Sequence, residues 1–130
     1  MTPQLQLQHD VATITLSRPD LANRLAQEDL STLVEHVAAI NQNPNIRVLI
    51  LQSEGKYFCS GYDIADIQNS QHSGSSFGEM VDVFENCQAV TIAAIQGGVY
   101  GGATDLALAC DFRVGSTLSN MFMPAAKLGL

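Results

Sequence analysis

The first forty residues carry two hydrophobic patterns. Apolar and polar residues alternate over residues 5–8 and 11–16, and residues 9–10 between them suit a turn, so this region predicts a β-hairpin. From residue 26 to residue 40 the apolar positions instead recur at helical spacing. This second pattern predicts an amphipathic helix of about four turns.

The rest of the chain alternates short apolar runs with helical and polar segments. Residues 46–51 and 90–95 are rich in aliphatic side chains, and such runs are typical of parallel strands that are buried on both faces. The other predicted elements are helical turns around residues 64–67, a polar surface loop at 68–78, helices at 79–87 and 103–109, and a strand at 112–114. The order predicts an α/β fold with a parallel sheet.

Composition narrows the class of protein. A chain of 130 residues has the length of one domain, so we expect a single domain over residues 1–130. Charged residues make up 15% of the chain, which is below the usual value of about 25%. The low charge content suggests that a partner covers part of the surface.

Charge excludes two kinds of partner. Thirteen acidic and six basic residues give a net charge of -7, and no lysine or arginine cluster is present to follow a phosphate backbone, so we expect no nucleic-acid binding. The same net charge would repel anionic membranes, and no apolar run approaches the roughly 20 residues of a spanning helix. Without a basic and apolar leader at its start, the chain is expected to be cytoplasmic.

Three cysteines, Cys59, Cys87 and Cys110, lie far apart in the sequence. Their spacing supports neither a disulfide framework nor a zinc site, and we expect no metal. Small buried thiols in a reducing compartment are the favoured interpretation.

Two glycine-containing segments, residues 60–63 and 101–105, each join the end of an apolar run to the start of a helix. The first N–H groups of a helix have no partner within it, so each segment can present donors to a negative oxygen. Two such donors that converge would form an oxyanion hole. Each segment alone is equally compatible with a tight turn or with close helix packing.

Three segments together carry a resemblance to a known family. FCSGYDI at residues 58–64 and GGVYGGATDLALACD at residues 97–111 resemble the two signature segments of the crotonase superfamily, the enoyl-CoA hydratases and isomerases. VATITLSRPDLANRL at residues 11–25 resembles that family's N-terminal hairpin, with its Arg-Pro followed by Asn-x-Leu. The resemblance implies a crotonase-like spiral of ββα units and an acyl thioester of coenzyme A as the substrate, with no separate cofactor.

The resemblance also assigns residues to the site. It maps the two backbone donors for the thioester carbonyl onto Tyr62 and Gly102, with the neighbouring glycines Gly61 and Gly101 shaping the two turns. Because the backbone supplies the donors, the Tyr62 side chain is free to narrow the acyl pocket. For contacts with coenzyme A, the resemblance indicates Arg24 and the backbone of Asp63, Ile64 and Ala65.

Asp105 is the candidate acid or base, because it lies where hydratases of the family carry a catalytic glutamate and some dienoyl-CoA isomerases an aspartate. In an apolar surround its pKa would rise, which would suit proton transfer. A capping role near a helix N-terminus is the alternative. At the second glutamate position of the hydratases the chain has Ala125, which transfers no proton.

Two functions therefore remain open. One is a hydratase or double-bond isomerase that stabilises a thioester enolate, and the other is an acyl-CoA-binding module with weak or no catalysis. The resemblance further implies a homo-oligomer, either a trimer or a hexamer. Family members continue well beyond residues 128–130, so we expect the crotonase-like fold to be truncated at the C-terminus.

Overall fold

A computed structural model of the chain describes residues 1–63 and 75–122, and its strands form two sheets. The larger sheet contains β1 (Gln4–Gln8), β2 (Val11–Leu16), β3 (Val48–Ser53), β5 (Val90–Ile95) and β7 (Phe112–Gly115), in that order. The smaller sheet contains β4 (Tyr57–Cys59), β6 (Gly98–Tyr100) and β8 (Asn120–Phe122), in that order. Strands β1 and β2 form an antiparallel hairpin, whereas the other neighbouring strands are parallel.

The helices pack one after another beside these sheets. They are α1 (Gln27–Asn41), α2 (Phe77–Glu85) and α3 (Ala103–Ala109), and a short 3-10 helix spans Pro19–Leu21. Helix α1 contacts α2, and α2 contacts α3. In the described ranges, none of the helices has the length and apolar character needed to cross a bilayer.

The fold repeats a strand-strand-helix unit. Strands β3, β5 and β7 each add to the same side of the larger sheet, and β4, β6 and β8 do the same in the smaller one. The strand pairs β3 and β4, β5 and β6, and β7 and β8 therefore each contribute one strand to each sheet, whereas the first pair, β1 and β2, lies entirely in the larger sheet. This arrangement confirms the predicted spiral of ββα units. The structural repeat is not accompanied by a recognisable repeat in the sequence.

The local patterns predicted most of the elements. The hairpin, α1 and α3 are confirmed, because each has a strong apolar period or good helix formers. The predicted loop at 68–78 is wrong at its end, because α2 already begins at Phe77. The Ser76 Oγ accepts a hydrogen bond from the Glu79 N–H at 3.0 Å and so caps the helix earlier than expected. The predicted helical turns at 64–67 and the first part of that loop lie outside the described residues.

The prediction that residues 46–51 are buried on both faces is also wrong for the described chain. Leu49 and Leu51 are buried in the core with the apolar faces of α1 and α2, whereas Val48 and Ile50 are only half-buried. Strand β5 shows the same alternation. The helices cover one face of the larger sheet, and no described element fully covers the other.

The last strand of each sheet is exposed. All four residues of β7 are exposed, with Phe112 and Val114 each 60% accessible, and Met121 and Phe122 of β8 are exposed as well. An uncovered apolar strand at the edge of a parallel sheet offers both backbone hydrogen bonds and apolar surface to another polypeptide.

The exposed edge predicts that the 130-residue chain associates with itself at micromolar concentration. Val114→Lys places a charge on the edge strand and should raise the dissociation constant about tenfold, which corresponds to about 1.4 kcal/mol. Sedimentation velocity over a concentration series measures this change. Thr117→Lys adds the same charge at an exposed position between β7 and β8 and should leave association unchanged. A wild-type chain that sediments as a monomer throughout would contradict the prediction.

Candidate active site

The two glycine-containing segments meet at one end of the smaller sheet. Strands β4 and β6 are parallel neighbours, so the residues that follow them emerge side by side. Gly61 follows β4 with a φ of 107°, a conformation that glycine adopts without strain. A Cβ placed on Gly61 would lie 3.6 Å from the Gly102 N and 3.3 Å from the Tyr100 O, so the two backbones are in close contact.

Tyr62, the residue after Gly61, has an N–H group that points away from the neighbouring segment around Leu25. Leu25 and Tyr62 form a parallel bridge in which the Leu25 N–H donates to the Gly61 O at 2.9 Å. On the other side of the bridge, the Asp63 N–H donates to the Leu25 O at 2.8 Å. Leu25 makes both bonds, so the Tyr62 N–H points away from Leu25.

Gly102, the second predicted donor, lies at the N-terminus of α3. Gly102 is the N-cap of this helix, and the Asp105 N–H closes the first turn by donating to the Gly102 O at 3.0 Å. Gly101, with a φ of 59°, makes the turn before it. Within residues 1–63 and 75–122, neither the Tyr62 N–H nor the Gly102 N–H donates a backbone hydrogen bond. Two donors of this kind beside each other suit a carbonyl oxygen that gains negative charge.

An aromatic pair packs against Gly102. The rings of Tyr62 and Phe77 stack with their centroids 4.4 Å apart and an interplanar angle of 21°. A Cβ on Gly102 would come within 2.9 Å of the Phe77 Cζ and 3.0 Å of the Tyr62 Cδ1. The pair therefore borders the candidate donor directly. Phe77 lies in the predicted polar loop, so no pattern in the sequence indicated that it belongs to the site.

Asp105 lies at a groove between α2 and α3. The groove has a volume of about 340 Å³, and Phe77, Val81 and Leu108 form much of its apolar wall. The Asp105 side chain is exposed, so the described residues do not supply the apolar enclosure expected for it. Beside it, the Thr104 Oγ1 is buried and has no hydrogen-bond partner in the described part of the chain.

The remaining predicted site residues divide into two groups. The Arg24 Nε lies 3.7 Å from the Asp63 Oδ2, so the structure brings these two together in an ion pair at the surface next to Tyr62. Ile64, Ala65 and Ala125 lie outside the described residues.

Cys59 lies at the end of β4 but is not suited to nucleophilic chemistry. Its side chain is fully buried, and burial raises the pKa of its thiol to about 12. Burial also raises the pKa of Cys110 to about 11. These thiols remain protonated near neutral pH, which favours the interpretation as core residues.

Comparison with known proteins agrees with the fold. The family model for enoyl-CoA hydratase/isomerase matches residues 6–130. Crotonyl-CoA hydratase from Syntrophomonas wolfei is 31% identical over an alignment 132 positions long, which covers 97% of this chain and 51% of that protein. The peroxisomal Delta(3,5)-Delta(2,4)-dienoyl-CoA isomerase from Arabidopsis thaliana is 31% identical over an alignment 117 positions long, which covers 77% of this chain and 42% of that protein.

Among solved structures, an enoyl-CoA hydratase/isomerase from Marinobacter aquaeolei superimposes with a TM-score of 0.87 at 29% identity. The match covers 99% of this chain and 54% of that one. The chain thus spans about half the length of the relatives it matches. The family model covers nearly the whole sequence and the spiral of ββα units is shared, so the chain belongs to the enoyl-CoA hydratase/isomerase family.

Proposed function

We propose that this protein binds an acyl thioester of coenzyme A and stabilises the thioester enolate with the N–H groups of Tyr62 and Gly102. The observation that supports the proposal is the close approach of the backbones at Gly61 and Gly102. In the part of the chain that the structure describes, neither the Tyr62 N–H nor the Gly102 N–H donates a backbone hydrogen bond. Removal of a proton alpha to a thioester moves negative charge onto the carbonyl oxygen. Fixed donors in a site with little water stabilise that charge without reorganising.

Asp105 is the proposed acid and base. It lies one helical turn beyond Gly102, on the rim of the groove that Phe77 also lines. Its carboxylate takes a proton from one carbon of the acyl chain, and the C–H electron pair moves toward the thioester oxygen. When the electrons return, the same carboxyl group delivers the proton to a different carbon. No cofactor other than the thioester itself is needed.

One carboxylate suits a double-bond shift better than hydration. An isomerisation removes and returns one proton, so a single group completes the cycle. Addition of water requires one group to activate water and another to protonate carbon, and the second glutamate position of the family holds Ala125. A double-bond isomerase is therefore the favoured member of the two enzyme types.

A second candidate function is acyl-CoA binding without turnover. The exposure of Asp105 favours it, because the described residues do not enclose the carboxylate in a site that excludes water. Arg24 and the backbone of residues 63–65 are proposed to contact coenzyme A in either case. Assembly into a trimer or hexamer is part of the proposal, since a neighbouring subunit could enclose the exposed carboxylate.

The first test uses a panel of enoyl-CoA thioesters that differ in chain length and double-bond position, with the products identified by mass spectrometry. Asp105→Asn should keep the dissociation constant within about twofold but lower turnover by about 10²–10⁴-fold, because the amide accepts no proton. Asp82→Asn, on the opposite wall of the groove, is the matched control and should keep turnover. If Asp105→Asn keeps it too, the residue is not the acid or base. No product with the wild-type chain would favour the binding module.

The donor at Gly102 is tested by two substitutions. Gly102→Ala keeps the N–H but pushes on the rings of Tyr62 and Phe77, whereas Gly102→Pro adds bulk and also removes the donor. The difference between the two variants isolates the hydrogen bond, and Gly102→Pro should be slower than Gly102→Ala by about 10²-fold in kcat. Equal rates for both variants would exclude Gly102 as a donor.

The aromatic pair should set the size of the acyl group. Phe77→Ala removes a ring beside Gly102 and opens the groove, so longer acyl chains should gain affinity over butyryl-CoA by roughly tenfold. Isothermal titration with saturated acyl-CoA thioesters of four to sixteen carbons measures this ratio. Phe112→Ala removes an exposed ring on β7 and should leave the ratio at its wild-type value. An unchanged ratio for Phe77→Ala would show that the ring does not border the acyl group.

A further inference from the structure

Asn23 is an almost fully buried polar residue that the proposed chemistry does not use. It is 1% exposed and has a φ of 55°, so it occupies the left-handed region that asparagine tolerates better than most residues. It belongs to the Asn-x-Leu segment, residues 23–25, which precedes α1. A buried side-chain amide is expected to be fully hydrogen-bonded, so the partners of Asn23 show which parts of the fold it connects.

The Asn23 side chain joins three parts of the chain. Its Nδ2 donates to the Glu54 O at 2.8 Å and to the Tyr57 O at 2.9 Å, and its Oδ1 accepts from the Arg18 N–H at 2.9 Å. Both amide hydrogens are thus used, and the acceptor is occupied. Tyr57 is the first residue of β4, so the amide fixes the start of the strand that leads to Tyr62.

The backbone around Asn23 continues the same contact along β4 and beyond it. The Cys59 Sγ lies 3.2 Å from the Asn23 O, and the Ser60 N–H donates to the Ala22 O at 3.0 Å. The bridge between Leu25 and Tyr62 follows directly. Residues 22–25 therefore lie beside residues 59–63 over their whole length.

A buried ion pair anchors the other end of the same segment. The Arg18 Nε lies 2.9 Å from the Asp29 Oδ2, and the Arg18 Nη2 lies 3.1 Å from the Asp29 Oδ1. Asp29 is 1% exposed, and its Oδ2 also accepts the Ala26 N–H at 2.8 Å. The segment between Arg18 and Asp29 is thus held at both ends, and Asn23 connects its middle to β4.

We propose that Asn23 is a positioning residue that sets the place of the Tyr62 N–H in the oxyanion hole. The inference rests on the proposed function of Tyr62 as a donor. Loss of the three side-chain bonds leaves residues 22–25 held to the β4 segment by backbone bonds alone, so that the bridge from Leu25 fixes Tyr62 less firmly. A donor displaced by about 1 Å loses much of its effect on the bound carbonyl, up to about 10²-fold in rate.

The experiment compares two ligands that differ only at the carbonyl. One is butyryl-CoA, and the other is its thioether analogue S-butyl-CoA, in which a methylene group replaces the carbonyl. Isothermal titration gives both dissociation constants, and their ratio measures the contribution of the oxyanion hole. Asn23→Gly deletes the side chain and still permits the positive φ, so the fold keeps its preferred backbone. Asn23→Asp keeps the shape and the acceptor but removes both donors.

We expect the wild-type chain to bind butyryl-CoA more tightly than S-butyl-CoA. In Asn23→Gly and Asn23→Asp this preference should fall about tenfold, while the affinity for S-butyl-CoA stays within about twofold of the wild-type value. Infrared spectroscopy of ¹³C-carbonyl butyryl-CoA adds a second measurement, because a shifted carbonyl band arises only from ligand that is bound to folded protein. The carbonyl band should lie at lower wavenumber on the wild type than in water, and should move back toward the water value on the variants.

The matched control is Asn41→Ala. The Asn41 Oδ1 also accepts a backbone N–H from a distant segment, that of Gln88 at 3.0 Å, but it lies at the far end of α1. This variant should keep the wild-type ratio of the two dissociation constants and the wild-type wavenumber of the carbonyl band. A wild-type chain without preference for the thioester would overturn the proposed function, and this inference with it. A wild-type preference that the Asn23 variants retain, or that Asn41→Ala loses equally, would overturn the inference alone.

Discussion

The close approach of two backbones, at Gly61 and at Gly102, is the constraint on which the site depends. Strands β4 and β6 are parallel neighbours, and their continuing chains can touch because neither residue carries a Cβ at the point of contact. A side chain on Gly61 would meet the Tyr100 O and the Gly102 N, and one on Gly102 would meet two aromatic rings. The repeated ββα unit brings the segments together, and the absence of side chains lets the two backbones come into close contact.

The contact divides the site into parts with different tasks. Backbone N–H groups offer hydrogen bonds that do not depend on which side chains surround them. The stacked rings of Tyr62 and Phe77 and the groove between α2 and α3 offer shape and apolar surface. In the proposed function, Asp105 supplies the proton-transferring group. A substitution in one part can change one property of the site while the others remain.

Much of this arrangement could be predicted from the sequence, because the signals are local. The hairpin and α1 follow from apolar periods, and α3 from a run of helix formers after the Gly101-Gly102 pair. The two glycine segments identified the residues that meet. Strands β4, β6 and β8 escaped prediction, since three residues are too few to show a period. The loop prediction failed at Phe77 because a single serine cap outweighed the polar composition around it.

Asn23 and Phe77 were missing from the predicted site for another reason, because their contact partners are distant in sequence. Asn23 donates to a carbonyl 34 positions away, and no local pattern distinguishes it from a turn residue. Phe77 contacts Tyr62 and Gly102 only because α2 packs beside α3. Such contacts follow from the complete fold, whereas periodicity describes one segment at a time.

The hydrogen bond from the Gly101 N–H to the Phe122 O, 2.9 Å long, connects the glycine turn to the most exposed strand of the smaller sheet. Under the proposed function, this bond joins the turn that would hold the thioester carbonyl to a strand that would take part in association. Ligand binding at the turn and association at the sheet edge would then be linked, and each would favour the other by the same factor.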